Sequence, residues 1–274
     1  MVVSFGWADA LARQVQFRKS GGIAELTMAK RGVNTTGTAE DVDPKQGLPF
    51  WKRSLDLIFI LVISPAVLLI SSAVAIWIKL GSPGPVFFRQ KRVGYKGREF
   101  ICYKFRTMRV NAETETHRLH TAQLIKSDQP MIKLDAHRDP RLIPMGALIR
   151  ATGLDELPQL LNVLRGEMSL VGPRPCIPYE YEHYEPAHRR RFDAVPGLTG
   201  LWQVSGKNRT TFEQMIQLDV QYAHHLSLWM DLRIILRTLP ALWGQYCDLH
   251  LAKRAESQLT PAPLRNPLNP ITYE

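Results

Sequence analysis

Apolar positions are concentrated in one stretch of the chain. Leu57 to Ile78 reads LIFILVISPAVLLISSAVAIWI, without an ionisable side chain, interrupted near its middle by Ser64-Pro65. A helix needs about 20 such residues to cross a hydrocarbon core, so the run is long enough. Cations stand on both flanks: Lys52 and Arg53 before it, Lys79, Arg89, Lys91 and Arg92 after it. Positive charge normally gathers on the cytoplasmic side of a span, and its presence at both ends sets two topologies against each other. Either the helix crosses once, or it enters, bends at Pro65 and returns to the same face. Proline removes a backbone donor and crowds the preceding turn, which gives a bend a cause. Ser64 can donate to a carbonyl so freed, which lowers the cost of a polar group in lipid. The run lies behind a polar stretch rather than next to Met1. That is the wrong layout for a cleaved signal peptide, so retention in the membrane is expected.

Elsewhere the pattern is that of a small mixed domain. Residues 1–48 mix Gly, Thr and Lys without sustained period and are expected to be mobile, although Phe5, Trp7, Leu11 and Val15 recur at roughly helical spacing. Gly81-Ser-Pro-Gly-Pro85 is a turn cluster that ends the apolar helix. Val86 to Phe88 and Phe100 to Tyr103 predict short strands joined through Val93 to Gly97. Residues 110–137 are polar without strong period and predict a surface excursion. Helices are predicted over Leu142 to Ile149, Leu154 to Leu164, Phe212 to His224 and Leu228 to Trp243. The last places Arg233 and Arg237 on one face between Trp229 and Trp243. That suits a helix lying flat in the headgroup layer, or a core helix whose arginines reach solvent. The tail from Leu259 holds four prolines and no core pattern, and a poorly ordered end is expected.

With 274 residues the chain can form one moderate domain plus a membrane element. Its net charge of +10 favours anionic partners. Much of that charge borders membrane segments, and no helix-turn-helix, finger or aromatic sheet signature accompanies it, so nucleic acid is not an expected partner. Cys102, Cys176 and Cys247 are odd in number, far apart and without CxxC spacing, which fits a reduced cytosolic setting.

Two segments carry the chemistry. In Gly153-Leu-Asp-Glu-Leu-Pro-Gln159, Pro158 belongs in the first turn of a helix, so Asp155 and Glu156 sit at the positive end of its dipole, where anions are stabilised. They serve either as an acidic cap or as ionised groups able to act as nucleophile or hold a divalent cation. Leu157, Leu160, Leu161 and Leu164 would form the apolar face of that helix, and Arg165-Gly166 its stop. In Val171-Gly-Pro-Arg-Pro175, each proline pushes the residue before it out of the helical region. Arg174 is therefore held in a stiff extended turn, suited to gripping a phosphate. Arg150 and Lys104 are further cations for the same anion. His188 to Arg191 is a basic cluster that faces either headgroups or water, and the Tyr/Glu run 179–185 an exposed helix face. Pro196 to Gly206, with a central Trp202-Gln203, can wall a flat base. His117 and His120 are read as surface residues.

In this order, the segments resemble the monotopic phosphoglycosyl transferases, bacterial sugar transferases that start exopolysaccharide and surface glycan synthesis. The resemblance rests on WKRSLDLIFILVISP, GPVFFRQKRVGYKGREFICYKFRTM, DPRLIPMGALIRATGLDELPQLLNVLRGEMSLVGPRP, PGLTGLWQVSGKN and LDVQYAHHLSLWMDLRIILRTL. It implies an α+β, mostly helical fold: a re-entrant membrane helix, interfacial amphipathic helices and a small cytosolic α/β catalytic domain. The expected divisions are 1–48 mobile, 49–80 helix-break-helix, 81–247 catalytic and 248–274 mostly disordered.

The reaction implied is transfer of a sugar-1-phosphate, galactose or glucose, from a UDP-sugar to undecaprenyl phosphate, releasing UMP through a covalent phosphosugar-enzyme intermediate. It implies Asp155 as nucleophile and ligand of Mg²⁺, with Glu156 beside it. Lys104, Arg150, Arg174 and Asp231 match substrate- or phosphate-binding positions, and Ser64-Pro65 the break in the membrane helix. Expected partners are the two substrates and anionic membrane lipids, with a second copy of the chain as a further candidate. The expected location is the cytoplasmic face of a bacterial inner membrane. Three positions depart from the family pattern: Gly153 replaces a common Ser or Thr, and Ile143 and Ala147 replace a common hydroxyl and a common Arg. The competing reading is a single-pass scaffold or regulatory protein with a basic cytosolic domain, which would tolerate Asp155→Asn.

Overall fold

A computed structural model describes residues 47–110, 123–125, 127, 129–131 and 141–259, with side chains given as far as Gly244 apart from Asn208. The readings made for residues 1–46, for His117 and His120 and for 260–274 lie outside the described residues. The long apolar run forms one helix, α1, over Phe50–Gly81. It is long and apolar enough to cross a membrane, with a mean hydropathy of 2.7 in its most apolar window.

The expected interruption at Ser64-Pro65 is not a gap in the helix, which continues through both residues. Pro65 has no N–H to give Leu61, four residues back, and Ser64 Oγ donates to that same carbonyl at 2.9 Å. The freed acceptor is thus satisfied within the helix.

One stripe of α1 packs on the rest of the protein from end to end. Lys52, Asp56 and Ile60 are buried at its start and Val74 and Ile78 at its close, with Phe59, Ile63 and Val67 partly buried between them. The opposite face, including Leu61, Val62, Leu68 and Leu69, is exposed.

The predicted hairpin is present and longer than its apolar residues indicate: β1 (Phe87–Val93) pairs antiparallel with β2 (Glu99–Phe105), Gln90 opposite Cys102 and Phe88 opposite Lys104. Side chains alternate across a strand, so Phe88, Gln90, Arg92, Cys102 and Lys104 share one face.

Further along come α2 (Gly146–Ala151), a 3₁₀ turn over Leu154–Gln159 and α3 (Leu160–Arg165). Gly166 ends α3 in the left-handed region (φ 80°), as its sequence predicts. The buried side of α3 is only partly the predicted one: Leu160 is buried and Leu157, just before the helix, packs on a buried cluster. Leu160, Asn162 and Val163 face inward, whereas Leu161 and Leu164 are exposed. The 3₁₀ turn advances about 120° per residue rather than 100°, so a helical projection carried through from Leu154 arrives at α3 rotated.

A parallel pair then forms the floor: β3 (Ser169–Val171) beside β4 (Gly197–Thr199). Between and after them lie the short helices α4 (Pro178–Glu182), α5 (Pro186–Arg189) and α6 (Leu201–Val204). Two longer helices follow: α7 (Phe212–His224), with the predicted bounds, and α8 (Leu228–Leu259). α8 passes through Pro240 and does not stop at Trp243 but runs on to Leu259, into the stretch from 248 expected to be mostly disordered.

Three buried clusters result. One joins Ile60 to Leu160, Met168, Leu170, Tyr222 and Ile234. Another centres on Tyr184, Phe192, Trp202 and Phe212. The third joins Val74 and Ile78 to Phe105, Ile143 and Ile149.

Candidate active site

Asp155 and Glu156 occupy the first turn of the 3₁₀ segment, next to the N-terminus of α3. Gly153 precedes them in the left-handed region (φ 72°), where a residue without Cβ carries no steric cost. Its carbonyl accepts from Glu156 N at 3.0 Å. A hydroxyl cap is absent, and a glycine-permitted reversal takes its place.

Glu156 Oε1 is shared by two cations, Lys104 Nζ at 3.5 Å and Arg174 Nη1 at 3.3 Å. The hairpin delivers Lys104 and the segment after β3 delivers Arg174, so three separate stretches of chain meet at one carboxylate. Burial pulls the Lys104 ammonium below the ordinary lysine value, against the attraction of Glu156 and Asp155. Burial also works against the Arg174 charge, but attractions led by Glu156 together outweigh it and hold that guanidinium above its usual value. Arg150 lies in the last turn of α2, half-buried, its carbonyl accepting from Gly153 N at 3.3 Å. Lys104, Glu156 and Arg174 thus meet through their side chains, and Arg150 adjoins the turn through its backbone.

The stiffness of the arginine turn has an explicit cause. Pro173 and Pro175 have no N–H, so the turn cannot close on itself through them, and its carbonyls are gripped from outside. Gly197 N donates to Pro173 O (2.9 Å) and Val93 N to Cys176 O (2.8 Å). Arg191 Nη2 donates to Arg174 O (2.8 Å) and Arg92 Nη1 to Pro175 O (3.1 Å).

Arg191 is buried rather than facing water or headgroups as the basic cluster predicts. It pairs with Asp219 at 2.5 Å and donates to Tyr184 Oη at 3.0 Å. Neither Arg92 nor Arg191 is evident from motif spacing. Strand alternation from Lys104 leads to Arg92, but nothing local distinguishes Arg191 from its neighbours Arg189 and Arg190.

Asp231 is not brought to the dyad. It is fully buried, paired with Lys52 at 2.5 Å and accepting from Tyr222 Oη at 2.7 Å. A carboxylate so enclosed fastens α1 to α8. Beside it, Asp56 accepts from Ser169 Oγ (3.0 Å) and Leu170 N (2.9 Å), and Arg53 donates to Val163 O and Leu164 O at the end of α3. The cations before the apolar run are therefore fasteners of the fold. Cys102 and Cys176 are buried and free; burial pushes the Cys176 thiol up to about 12, so neither is an activated nucleophile.

No cluster of three or more His, Cys, Asp or Glu suited to a metal occurs among the described residues. A pair of adjacent carboxylates is nonetheless the donor set Mg²⁺ uses when substrate phosphates complete its shell.

This constellation falls within a match to the family model described as bacterial sugar transferase, which covers residues 48–245. The chain belongs to that family. It is 39% identical over 195 residues to the exopolysaccharide production protein ExoY of Rhizobium meliloti, covering 70% of this chain and 84% of the relative. A UDP-glucose:undecaprenyl-phosphate glucose-1-phosphate transferase of Caulobacter vibrioides is 40% identical over 209 residues, 73% of this chain and 72% of the relative. The galactosyl transferase CpsE of Streptococcus agalactiae is 47% identical over 157 residues, 57% of this chain; the chain spans only about a third of that longer relative. Two of these relatives are named as transferases, and the span matched by the family model holds the dyad, Lys104, Arg150 and Arg174 alike.

Proposed function

We propose that the protein transfers a sugar-1-phosphate, galactose-1-phosphate or glucose-1-phosphate, from a UDP-sugar to undecaprenyl phosphate on the cytoplasmic face of a bacterial inner membrane. The observation that carries this reading is the two-carboxylate turn facing Lys104 and Arg174, in a chain whose relatives are named for that chemistry. An Asp155 oxygen attacks the phosphorus bonded to the sugar, and the bond to the other phosphate breaks, releasing UMP. An oxygen of undecaprenyl phosphate then attacks the same phosphorus and returns Asp155 as a carboxylate. Each step moves negative charge between oxygens on phosphorus, and fixed cations lower that barrier more than acid–base chemistry does. Lys104 and Arg174 supply them, while Glu156 keeps both aimed at the turn. Mg²⁺, held by Asp155, would neutralise pyrophosphate charge when bound. A covalent intermediate lets one site serve a water-soluble and a lipid-borne substrate in succession.

The docking of both ends of α1 on one body supports the re-entrant topology. A bilayer core is about 30 Å thick, and a helix crossing it would carry one end away from a small domain on the other side. The exposed Trp229, Leu236, Leu239 and Trp243 of α8, with Arg233 over the Trp229 ring at 5.0 Å, form an apolar and aromatic face bearing cations, suited to the headgroup layer of anionic lipid. The deciding experiment incubates the purified full chain with undecaprenyl phosphate, Mg²⁺ and a panel of UDP-sugars and follows UMP. Turnover with UDP-galactose or UDP-glucose, a hexose-phosphate adduct on Asp155 by mass spectrometry, and at least a thousandfold loss in Asp155→Asn are expected. Silence with every sugar nucleotide, or full activity of Asp155→Asn, would sink the reading.

A further inference from the structure

We propose that the cavity behind Arg174 holds the nucleoside end of the donor, with Arg92 gripping the phosphate that departs with it. This rests on the sugar-phosphate transfer reading and says which part of the substrate goes where. Arg174 and Arg92 both line the cavity, and Trp202, Phe212, Tyr184 and Glu180 form much of the rest. Its interior, about 80 Å³, is several times the space one buried water takes. Arg174 is therefore a partition, with Glu156 on one side and an aromatic-walled recess on the other.

The charges point to an anion at that partition. Arg92 donates to Gln90 Oε1 (2.8 Å) and Pro175 O (3.1 Å), both neutral acceptors. Burial, and then the neighbouring Arg174 guanidinium, pull its pKa down. Two crowded guanidinium groups, Arg174 paired with Glu156 and Arg92 attracted by Glu180, are relieved by an anionic oxygen shared between them, and arginine forks fit phosphate. Arg191 lines the same cavity, its Nη groups held by Tyr184, Arg174 O and Asp219. Glu180 accepts from Ile177 N through one oxygen at 3.2 Å, which leaves the other for a ribose hydroxyl or a ring N–H. A diphosphate laid across Arg174 thus has its sugar-bearing phosphorus beside Asp155, its second phosphate at Arg92 and its nucleoside among Trp202, Tyr184 and Phe212.

The test uses UMP, which carries only the nucleoside half, with the full-length protein in detergent. Calorimetry should show UMP binding to the unaltered protein and at least tenfold weaker binding to Arg92→Gln. The KM for the UDP-sugar should rise in parallel while that for undecaprenyl phosphate stays within twofold. Arg92 also steadies the Pro175 carbonyl, so Glu180→Gln serves as a second variant, with weaker UMP binding and an unchanged lipid KM. Arg92→Lys, which keeps charge but loses the fork, should fall between. UMP affinity within twofold of the unaltered protein in both Arg92→Gln and Glu180→Gln, in preparations that still turn over, would overturn the assignment and leave the transfer reading standing. Absence of turnover in the unaltered protein would count against the transfer reading instead.

Discussion

Lys104 is the residue whose environment gives the reaction a pH limit. Burial makes its ammonium release a proton more readily than a free lysine does. The charge facing Glu156 is therefore lost on the alkaline side at a pH below the ordinary lysine value. Activity should fall along an alkaline limb, and Lys104→Arg, whose charge persists, should move that limb upward; a limb unmoved by the substitution would show that another group sets it. Asp231 behaves differently from its sequence-level reading. Removing one partner of a buried ion pair costs about 3–5 kcal/mol, so Asp231→Asn should lower the thermal midpoint sharply while any folded fraction keeps its KM for both substrates. A raised KM without loss of stability would restore it to the site. The meeting of Glu156 and Arg174 was legible because each sits in a motif with local backbone signals, with Lys104 named as a further cation for the same anion. Asp231 and Arg191 were not, since their partners, Lys52 and Asp219, lie far away in sequence and only packing reveals the pairing.

At the level of elements, the parallel strands β3 and β4 show why glycine recurs beside the arginine turn. A Cβ on Gly197 would overlap the Gly172 backbone, and one on Gly172 would overlap Val195 O. The two chains approach too closely for any side chain between them. Since Gly197 N also holds Pro173 O, Gly197→Ala should both destabilise the fold, by about 2 kcal/mol on the scale of overpacked cores, and displace Arg174. Unfolding curves and the KM for the UDP-sugar would measure the two effects together; a variant as stable as the parent would contradict the close approach. The long helices and the hairpin followed from apolar period and turn residues. The three-residue strands and four-residue helices between 169 and 204 did not, because segments so short carry no period and are held by contacts from elsewhere. The rotated face of α3 has the same origin: a 3₁₀ entry alters the phase that a helical projection assumes.

For the whole molecule, both termini should lie on the cytoplasmic side. Tags on either end should stay shielded from external protease in intact cells, and cleavage of one tag alone would favour a full crossing. The fastening of α1 has a practical corollary. Excising residues 50–81 to obtain a water-soluble enzyme would strip Asp231 and Tyr222 of the ammonium they enclose, leave the last-turn carbonyls of α3 without Arg53, and open two of the three buried clusters. The anchor is thus as much a keystone as a tether, and solubilising surface substitutions on its outer face are the better route than deletion.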